Sequence, residues 1–365
     1  MAEEPDLMQK RKEAQEEILA LREKIPSALI LNCLGRPFKN GNPAYWLLNI
    51  VLLHLILAGP WIIMGLVLNE IEKSVLFFGA CVMTIENIVF SFVAAHILVQ
   101  YILDNLAHRI VQKINNVDDL SKLLLWLEQT WSLRNVSALA LPFCAGWILL
   151  TVGGISILSH CFVGFGLSLA CAFGGLLVGV SLYTCFWMIL FIFTLKDYQY
   201  EMNAFSPANS EIISDISEIL TTCLSVQAVL YAAITFLATS GLVDPQIRVA
   251  FAFPFLVFCW VIVAAFFLLT RSILGAIINK AKWKTLNKLQ AQINSIEATG
   301  DLSEKETVER LLRLVDVHLQ IMASKTNTFD LKSFSTLFSQ LMLPLLALLL
   351  GNFDKLLRLL PYVSR

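Results

Sequence analysis

Long uninterrupted runs of apolar residues alternate with polar segments along the whole chain. A helix needs about 20 apolar residues to cross a hydrocarbon core of about 30 Å. Six runs reach that length, at 45–68, 75–103, 136–159, 161–195, 221–242 and 249–270. A seventh run, 334–353, is long enough but contains Gln340, Pro344 and Asn352, so we expect it to span, re-enter or lie in the interface. The pattern predicts an all-α polytopic membrane bundle of six spans with a seventh, C-terminal apolar helix.

The polar segments divide the chain into four parts. We predict an N-terminal helical segment, a six-span membrane domain, a helical hairpin, and an apolar helix with a short tail, at 1–43, 44–270, 271–332 and 333–365. Inside the membrane domain, the connections 104–135 and 196–220 are long enough to form helices. Apolar residues recur at helical spacing in the first of these, so we expect it to lie along the inner interface, with Trp126 and Trp131 at headgroup level.

The segment 271–332 has the pattern of two helices joined by a short turn. Apolar residues from Leu286 to Ile296 have nearly heptad spacing, ATGD at 298–301 breaks the helix, and residues 303–306 form a capping box. The second helix carries Val308, Leu311, Leu312, Val315 and Leu319. The nearly heptad seam of the first helix pairs either inside the hairpin or between subunits as a coiled coil. The short turn favours pairing inside the hairpin, because it makes the two helices antiparallel neighbours.

Lysine and arginine positions orient the bundle. The connections after the odd-numbered spans contain only Lys73 and Arg248, whereas nearly all other basic residues precede the first span or follow even-numbered spans. Because basic residues are retained on the cytoplasmic side, we predict a cytoplasmic N-terminus, in a plasma membrane or a bacterial inner membrane. Lys355, Arg358 and Arg365 follow the seventh run, which argues against its crossing the bilayer.

Composition excludes several classes of protein. Of the 365 residues, 57% are hydrophobic and 15% are charged, which is outside the range of ordinary soluble domains. The 27 basic and 28 acidic residues give a net charge of −1, so we expect no nucleic-acid partner. The eight cysteines have no metal-site spacing, and the sequence has no nucleophile-elbow, phosphate-loop or dinucleotide motif. We therefore expect no enzymatic activity, no metal and no cofactor.

Ionisable residues inside the apolar runs are the first candidates for function, because placing one at the centre of a bilayer costs at least about 2.5 kcal/mol. Glu86 and Asn87 lie near the middle of the second span. Counting 1.5 Å per residue from the other side of the membrane places His54 at a similar depth in the first span. These residues form either an intramembrane site for a cation or proton, or a structural hydrogen-bonded group.

Three further sets of residues are candidates for contacts or conduction. A polar stripe in the fifth span, which either joins helices or lines a conduit, consists of Gln227, Tyr231 and Thr235. The C-terminal apolar helix has polar positions for a pore or an interface, at Ser335, Gln340 and Asn352. A GxxxG pattern, which indicates close helix contact, runs from Gly175 to Gly179.

A basic cluster follows the sixth span. It consists of Lys280, Lys282, Lys284 and Lys288, together with Trp283. Each lysine contributes about 1 kcal/mol of attraction to anionic lipid headgroups when it lies at the membrane surface. The same residues also satisfy the positive-inside rule without any specific lipid contact.

These features favour an oligomeric ion channel or pore in the lipid bilayer, with a cytoplasmic helical layer that senses or assembles homo-oligomers. The alternative is a membrane-anchored scaffold or signalling adaptor that binds a cytoplasmic protein through 271–332. A secondary transporter is the third hypothesis. It ranks below the other two because such proteins are built from inverted repeats with interrupted helices, whereas the three hairpins here repeat in the same direction.

Overall fold

The computed structural model describes residues 4–35, 48–59, 71–155, 161–239, 245–299, 305–324 and 331–351. Their helices are α1 Glu4–Lys24, α2 Pro26–Gly35, α3 Leu48–Gly59, α4 Ile71–Asn105, α5 Val117–Thr130, α6 Leu133–Ile155, α7 Cys161–Leu195, α8 Glu211–Thr239, α9 Pro245–Thr299, α10 Lys305–Ala323 and α11 Leu331–Gly351. A π-helical turn, Leu106–Ile110, and a 3-10 turn, Val111–Lys113, continue α4. This part of the chain confirms the all-α class: its β structure is limited to one isolated bridge between Ile114 and Tyr200.

Within the described residues, four helical stretches are long and apolar enough to cross a membrane. They are Ile88–Lys113, Ala172–Leu195, Glu211–Phe236 and Trp260–Ala298. The chain therefore has the character of a multi-pass membrane protein, but the expected count of six or seven spans is not confirmed. The first expected span is described only as the short helix α3, and the seventh only as α11. Asn352 and the capping box at 303–306, apart from its last two residues, lie outside the described residues.

The longest helix, α9, joins two segments that the sequence analysis treats separately. It runs for 55 residues from Pro245 to Thr299, about 80 Å at 1.5 Å per residue. The sequence TRSILGAIINK at 270–280 explains the continuity, because it has no proline and only Gly275 as a weak helix former. The expected sixth span and the first helix of the hairpin are therefore one unbroken helix.

The connection after α4 is packed differently from the interfacial segment expected from the sequence. Its first half is buried inside the protein, with each of these side chains at most 1% exposed: Leu106, Ala107, Ile110, Val111 and Ile114. Helices α1 and α8 pack on it, and the α1 residues Ala14 and Ile18 are themselves fully buried. Because α1 supplies an apolar face, this half of the segment packs against protein, and an interfacial position stays a prediction for the rest.

The two tryptophans of that connection are likewise placed inside the protein. Trp131 is buried, and its ring centroid lies 5.0 Å from that of Trp187 on α7. Trp126 stacks on the same ring at 6.1 Å, and Trp187 in turn stacks on Phe191 at 5.4 Å. The two tryptophans therefore belong to an aromatic cluster centred on α7, and their position at headgroup level stays a prediction.

Helices α9 and α10 pack against each other as a hairpin. Leu286 and Ile293 of α9 are buried, as is Ile321 of α10. The first apolar seam is therefore at least partly buried inside the chain, in line with pairing inside the hairpin. The second helix carries another apolar stripe on a different face, and that stripe is exposed: Val308, Leu312, Leu319 and Met322.

Candidate functional site

The structure brings His54 of α3 and Glu86 of α4 into contact. The imidazole Nε2 of His54 lies 3.2 Å from Oε2 of Glu86, and the two side chains are 29% and 28% exposed. The other ring nitrogen, Nδ1, lies 2.7 Å from the backbone carbonyl oxygen of Ile50, one helical turn earlier. The ring is thus held at both nitrogens, and the pair lies at an edge of the protein where it is not fully enclosed.

The helices around this pair pack closely. Gly174 of α7 approaches both partner helices: a Cβ atom there would lie 3.2 Å from Cδ1 of Ile88 and 3.4 Å from Cδ2 of Leu57. Ile88 and Leu57 follow Glu86 and His54 by two and three residues, so α7 meets α3 and α4 beside the pair. The side chain of Asn87, which the sequence analysis places in the same site, lies outside the described residues.

The polar stripe of the fifth span is largely turned into the protein. Gln227 and Thr235 of α8 are buried, and Tyr231 is half-buried. The Thr235 hydroxyl donates to the Tyr231 carbonyl oxygen at 2.7 Å, within the same helix. Burial of these groups between helices agrees with a role in helix contact, whereas an open conduit needs them exposed.

The C-terminal apolar helix α11 packs mainly on α8. Gln340 is 3% exposed, and its Nε2 donates to Oγ of Ser225 at 2.7 Å. The indole N–H of Trp260 on α9 donates to the Leu341 carbonyl oxygen at 3.0 Å, next to the backbone carbonyl that Pro344 leaves without its helical donor. Gln340 therefore joins helices of one chain, while Ser335 remains exposed.

Three of the four basic-cluster lysines donate to protein oxygen atoms. Lys280 Nζ binds the carbonyl oxygens of Lys196 and Asp197 at 3.2 and 2.9 Å, just beyond the end of α7. Lys284 Nζ donates to Oε1 of Gln199 at 2.6 Å. Cations at helix C-termini are favourable because the last carbonyl groups lack helical donors.

Lys282 does not fit the hypothesis that the basic cluster contacts lipid headgroups. Only 7% of it is exposed, and its Nζ donates to the carbonyl oxygens of Met322 and Ser324 at 2.8 and 2.9 Å. It thus caps the end of α10 and has no surface for a lipid. Trp283 and Lys288 are exposed, so lipid contact stays a prediction for them.

A further polar stripe, not among the sequence predictions, runs along α4 and its continuation, where every fourth residue is polar: His96, Gln100, Asp104, His108 and Gln112. Each one contacts the N-terminal helices. His96 Nδ1 lies 3.0 Å from Ser27 Oγ, Arg22 pairs with Asp104 at 3.0 Å and hydrogen-bonds Gln100, and Gln15 joins His108 and Gln112 at 2.9 and 3.1 Å. The four-residue repeat itself was the available signal.

An ion-pair cluster fixes the start of α8 on the same continuation of α4. Lys113 Nζ lies 2.7 Å from Asp215 and 3.0 Å from Glu211, and Arg109 lies 2.8 Å from Glu218. The three acids share one face of α8, so one helix face meets one pair of cations. This cluster is structural in form, because each charge has an opposite charge beside it.

Among the described residues, no group of three or more His, Cys, Asp or Glu side chains has the geometry of a metal site. Comparison with protein-family models, with curated proteins and with solved structures finds no match. The interpretation of function therefore depends on the chain itself. The His54–Glu86 pair is the candidate site, because an imidazole and a carboxyl group in contact can hold a proton between them.

Proposed function

We propose that this protein is a subunit of an oligomeric ion channel or pore, assembled through helices that we predict to be cytoplasmic. The observation that carries the proposal is the exposed apolar stripe of α10. Val308 is 36% exposed, and Leu312, Leu319 and Met322 are 53–59% exposed. Their spacing of four, seven and three residues keeps them in one heptad register, which is the spacing of a helix that packs against another helix.

Leaving this stripe in water is costly for a single chain. Burying a large aliphatic side chain completely contributes about 1.5–3 kcal/mol, so each half-exposed residue of the stripe gains on the order of 1 kcal/mol when covered. A second copy is a partner that is always present, because copies inserted in one bilayer share the same orientation and plane. Self-association at α10 therefore supports an oligomer around a common axis.

A pore between subunits fits the polar content of the membrane helices. Gln340 of α11 donates to Ser225 of α8 in the same chain, and Gln227 of α8 is buried inside it, so a conduit inside one chain has little support. The faces of α11 that point away from α8 and α9 are exposed, including Leu346 and Leu350. In an oligomer, these exposed faces of α11 can pack against other copies around the shared axis.

The test begins with the mass of the particle. Full-length protein in lipid nanodiscs is expected to have the mass of a discrete oligomer by mass photometry, and Leu312→Gln together with Leu319→Gln is expected to shift it toward the monomer. Arg310→Gln, an exposed position on the same helix, is the matched control. Planar-bilayer recordings of the intact oligomer then test conduction directly.

The results separate the proposal from its main alternative. Monomers at all protein concentrations, with a soluble protein bound at α10, would support a membrane-anchored scaffold or adaptor. A stable oligomer without currents under any voltage or pH would retain assembly and refute the channel. An oligomer with currents that Glu86→Gln changes, at unchanged mass, would support both the pore and the involvement of the His54–Glu86 pair.

A further inference from the structure

The hydrogen-bond geometry of His54 fixes where its ring protons are. Nδ1 lies 2.7 Å from the Ile50 carbonyl oxygen, and a carbonyl oxygen can only accept a hydrogen bond. Nδ1 therefore carries a proton. In a neutral imidazole, Nε2 then has a lone pair and no hydrogen. This nitrogen is the atom that lies 3.2 Å from Oε2 of Glu86.

We infer that His54 and Glu86 together form a binding site for one proton, and that this proton joins α3 to α4. If the imidazole is neutral and Glu86 is ionised, two lone pairs face each other at 3.2 Å, which is a repulsive arrangement. One added proton makes the contact attractive. It lies either on Nε2, as an imidazolium–carboxylate ion pair, or on Oε2, as a carboxylic acid that donates to imidazole.

These two arrangements contain the same number of protons, so the pair binds one proton as a unit. Release of that proton to water leaves a carboxylate and a neutral imidazole, and the contact becomes repulsive. Binding of a second proton leaves an imidazolium N–H that can donate to the carbonyl oxygen of the acid. The contact is therefore lost in the alkaline direction and kept in the acid direction.

A metal cation fits the site less well than a proton. The described residues offer one imidazole nitrogen and one carboxylate, and they contain no group of three ligand side chains. Hydrated metal ions in proteins usually take four or more ligands. A single proton needs only the two atoms that are present, at a distance already suitable for a hydrogen bond.

The stretches of helix around the pair bring no other ionisable side chain to it. The stretches that meet there, at 48–59, 85–95 and 172–182, contain no other acidic, basic or thiol side chain. Towards the other end of α4, His96 contacts Ser27 of α2, Arg22 of α1 pairs with Asp104, and Tyr101 contacts Thr222 of α8. The nearest of these α4 residues is His96, ten residues from Glu86, about 15 Å along the helix.

The test compares Glu86→Gln with the parent protein, using the full chain in lipid nanodiscs. A glutamine amide can donate to the His54 Nε2 lone pair without any titrating proton. The variant is therefore expected to fold and to keep the α3–α4 contact as the pH rises. In the parent protein, the equilibrium constant for loss of the contact is expected to rise tenfold per pH unit above the transition, as for release of one proton.

Two measurements follow this transition. The thermal midpoint is recorded as a function of pH, and infrared difference spectra report the protonation of imidazole and carboxyl groups. We expect the midpoint to fall less steeply with rising pH in Glu86→Gln than in the parent and in the control Ser91→Ala; the fall that remains above about pH 10 comes from tyrosine ionisation. The infrared signal of the pair is expected to disappear in both Glu86→Gln and His54→Gln, because each substitution removes one of the two groups that share the proton.

Three results would overturn the inference. The first is a dependence of the midpoint on pH that is unchanged in Glu86→Gln. The second is an unaltered Glu86 titration in His54→Gln, which would mean that the two groups do not share a proton. The third is a transition that moves when sodium replaces choline at constant ionic strength, which would identify a metal cation as the ligand. None of these measurements requires conduction or oligomers, so the inference stands or falls independently of the proposed channel.

Discussion

Replacement of Gly179 by alanine tests a close contact between α6 and α7. Gly179 is the second glycine of the GxxxG pattern and lies where α7 meets α6. A Cβ atom at this position would lie 2.5 Å from Cα of Ala140, 3.0 Å from its Cβ and 3.1 Å from its carbonyl oxygen. All three distances are below ordinary van der Waals contact, and the nearest atom belongs to a backbone, so α6 and α7 must separate.

The size of the effect follows from two opposing terms. Overpacking that displaces a backbone costs about 1–3 kcal/mol, while exchanging glycine for alanine in a helix gains up to about 1 kcal/mol. Gly146 of α6 provides the matched control, because nothing lies within 4 Å of the corresponding Cβ position. We expect Gly179→Ala to be less stable than Gly146→Ala by about 2 kcal/mol.

The assay is thermal unfolding of both variants in the same nanodiscs, followed by tryptophan fluorescence. Gly174→Ala gives an intermediate case, because its nearest neighbours are the ends of the Ile88 and Leu57 side chains, at 3.2 and 3.4 Å, and side-chain ends can move. The expected order of stability is Gly146→Ala, then Gly174→Ala, then Gly179→Ala. Equal midpoints for Gly146→Ala and Gly179→Ala would refute the close approach of α6 and α7.

Three further predictions concern the polar part of the fold. Lys282→Met is expected to lose about 2 kcal/mol and to speed hydrogen exchange at the end of α10, whereas exposed Lys288→Met should change neither. Burial raises the pKa of Tyr200, so stability should fall as the pH rises above about 10, where only the unfolded chain ionises; Tyr200→Phe should flatten that slope in a denaturation series. Asp215→Asn should cost about 1 kcal/mol in urea titrations, and Glu211→Gln, 82% exposed, much less.

The contact between His54 and Glu86 could be predicted from the sequence, because the depth of a residue in a membrane helix follows from its distance in residues from the end of the apolar run. Each residue adds 1.5 Å, so two residues at equal depth in adjacent apolar runs can face each other. The close packing of Gly179 also followed from a local pattern. Both cases depend on one helix, or on one hairpin, whose geometry a short stretch of sequence determines.

Other features depend on partners that are distant in the chain. The burial of Lys282 could not be read from its surroundings, because its acceptors, Met322 and Ser324, lie 40 and 42 residues away. In the same way, residues 104–134 have the periodicity of an interfacial helix, and only the position of α1 shows that protein covers part of them. The polar repeat from His96 to Gln112 is visible in the sequence, but a polar stripe alone does not predict which helix it contacts.

The unbroken length of α9 has a mechanical consequence. Lys280 ties the helix to the end of α7 through the carbonyl groups of Lys196 and Asp197, and this tie divides the helix into arms of about 53 and 28 Å. A rigid helix that turned about this tie would work as an unequal lever. A displacement of 1 Å at the Thr299 end then becomes about 2 Å at the Pro245 end. Movement at the hairpin would therefore be amplified on its way to the apolar end of the rod.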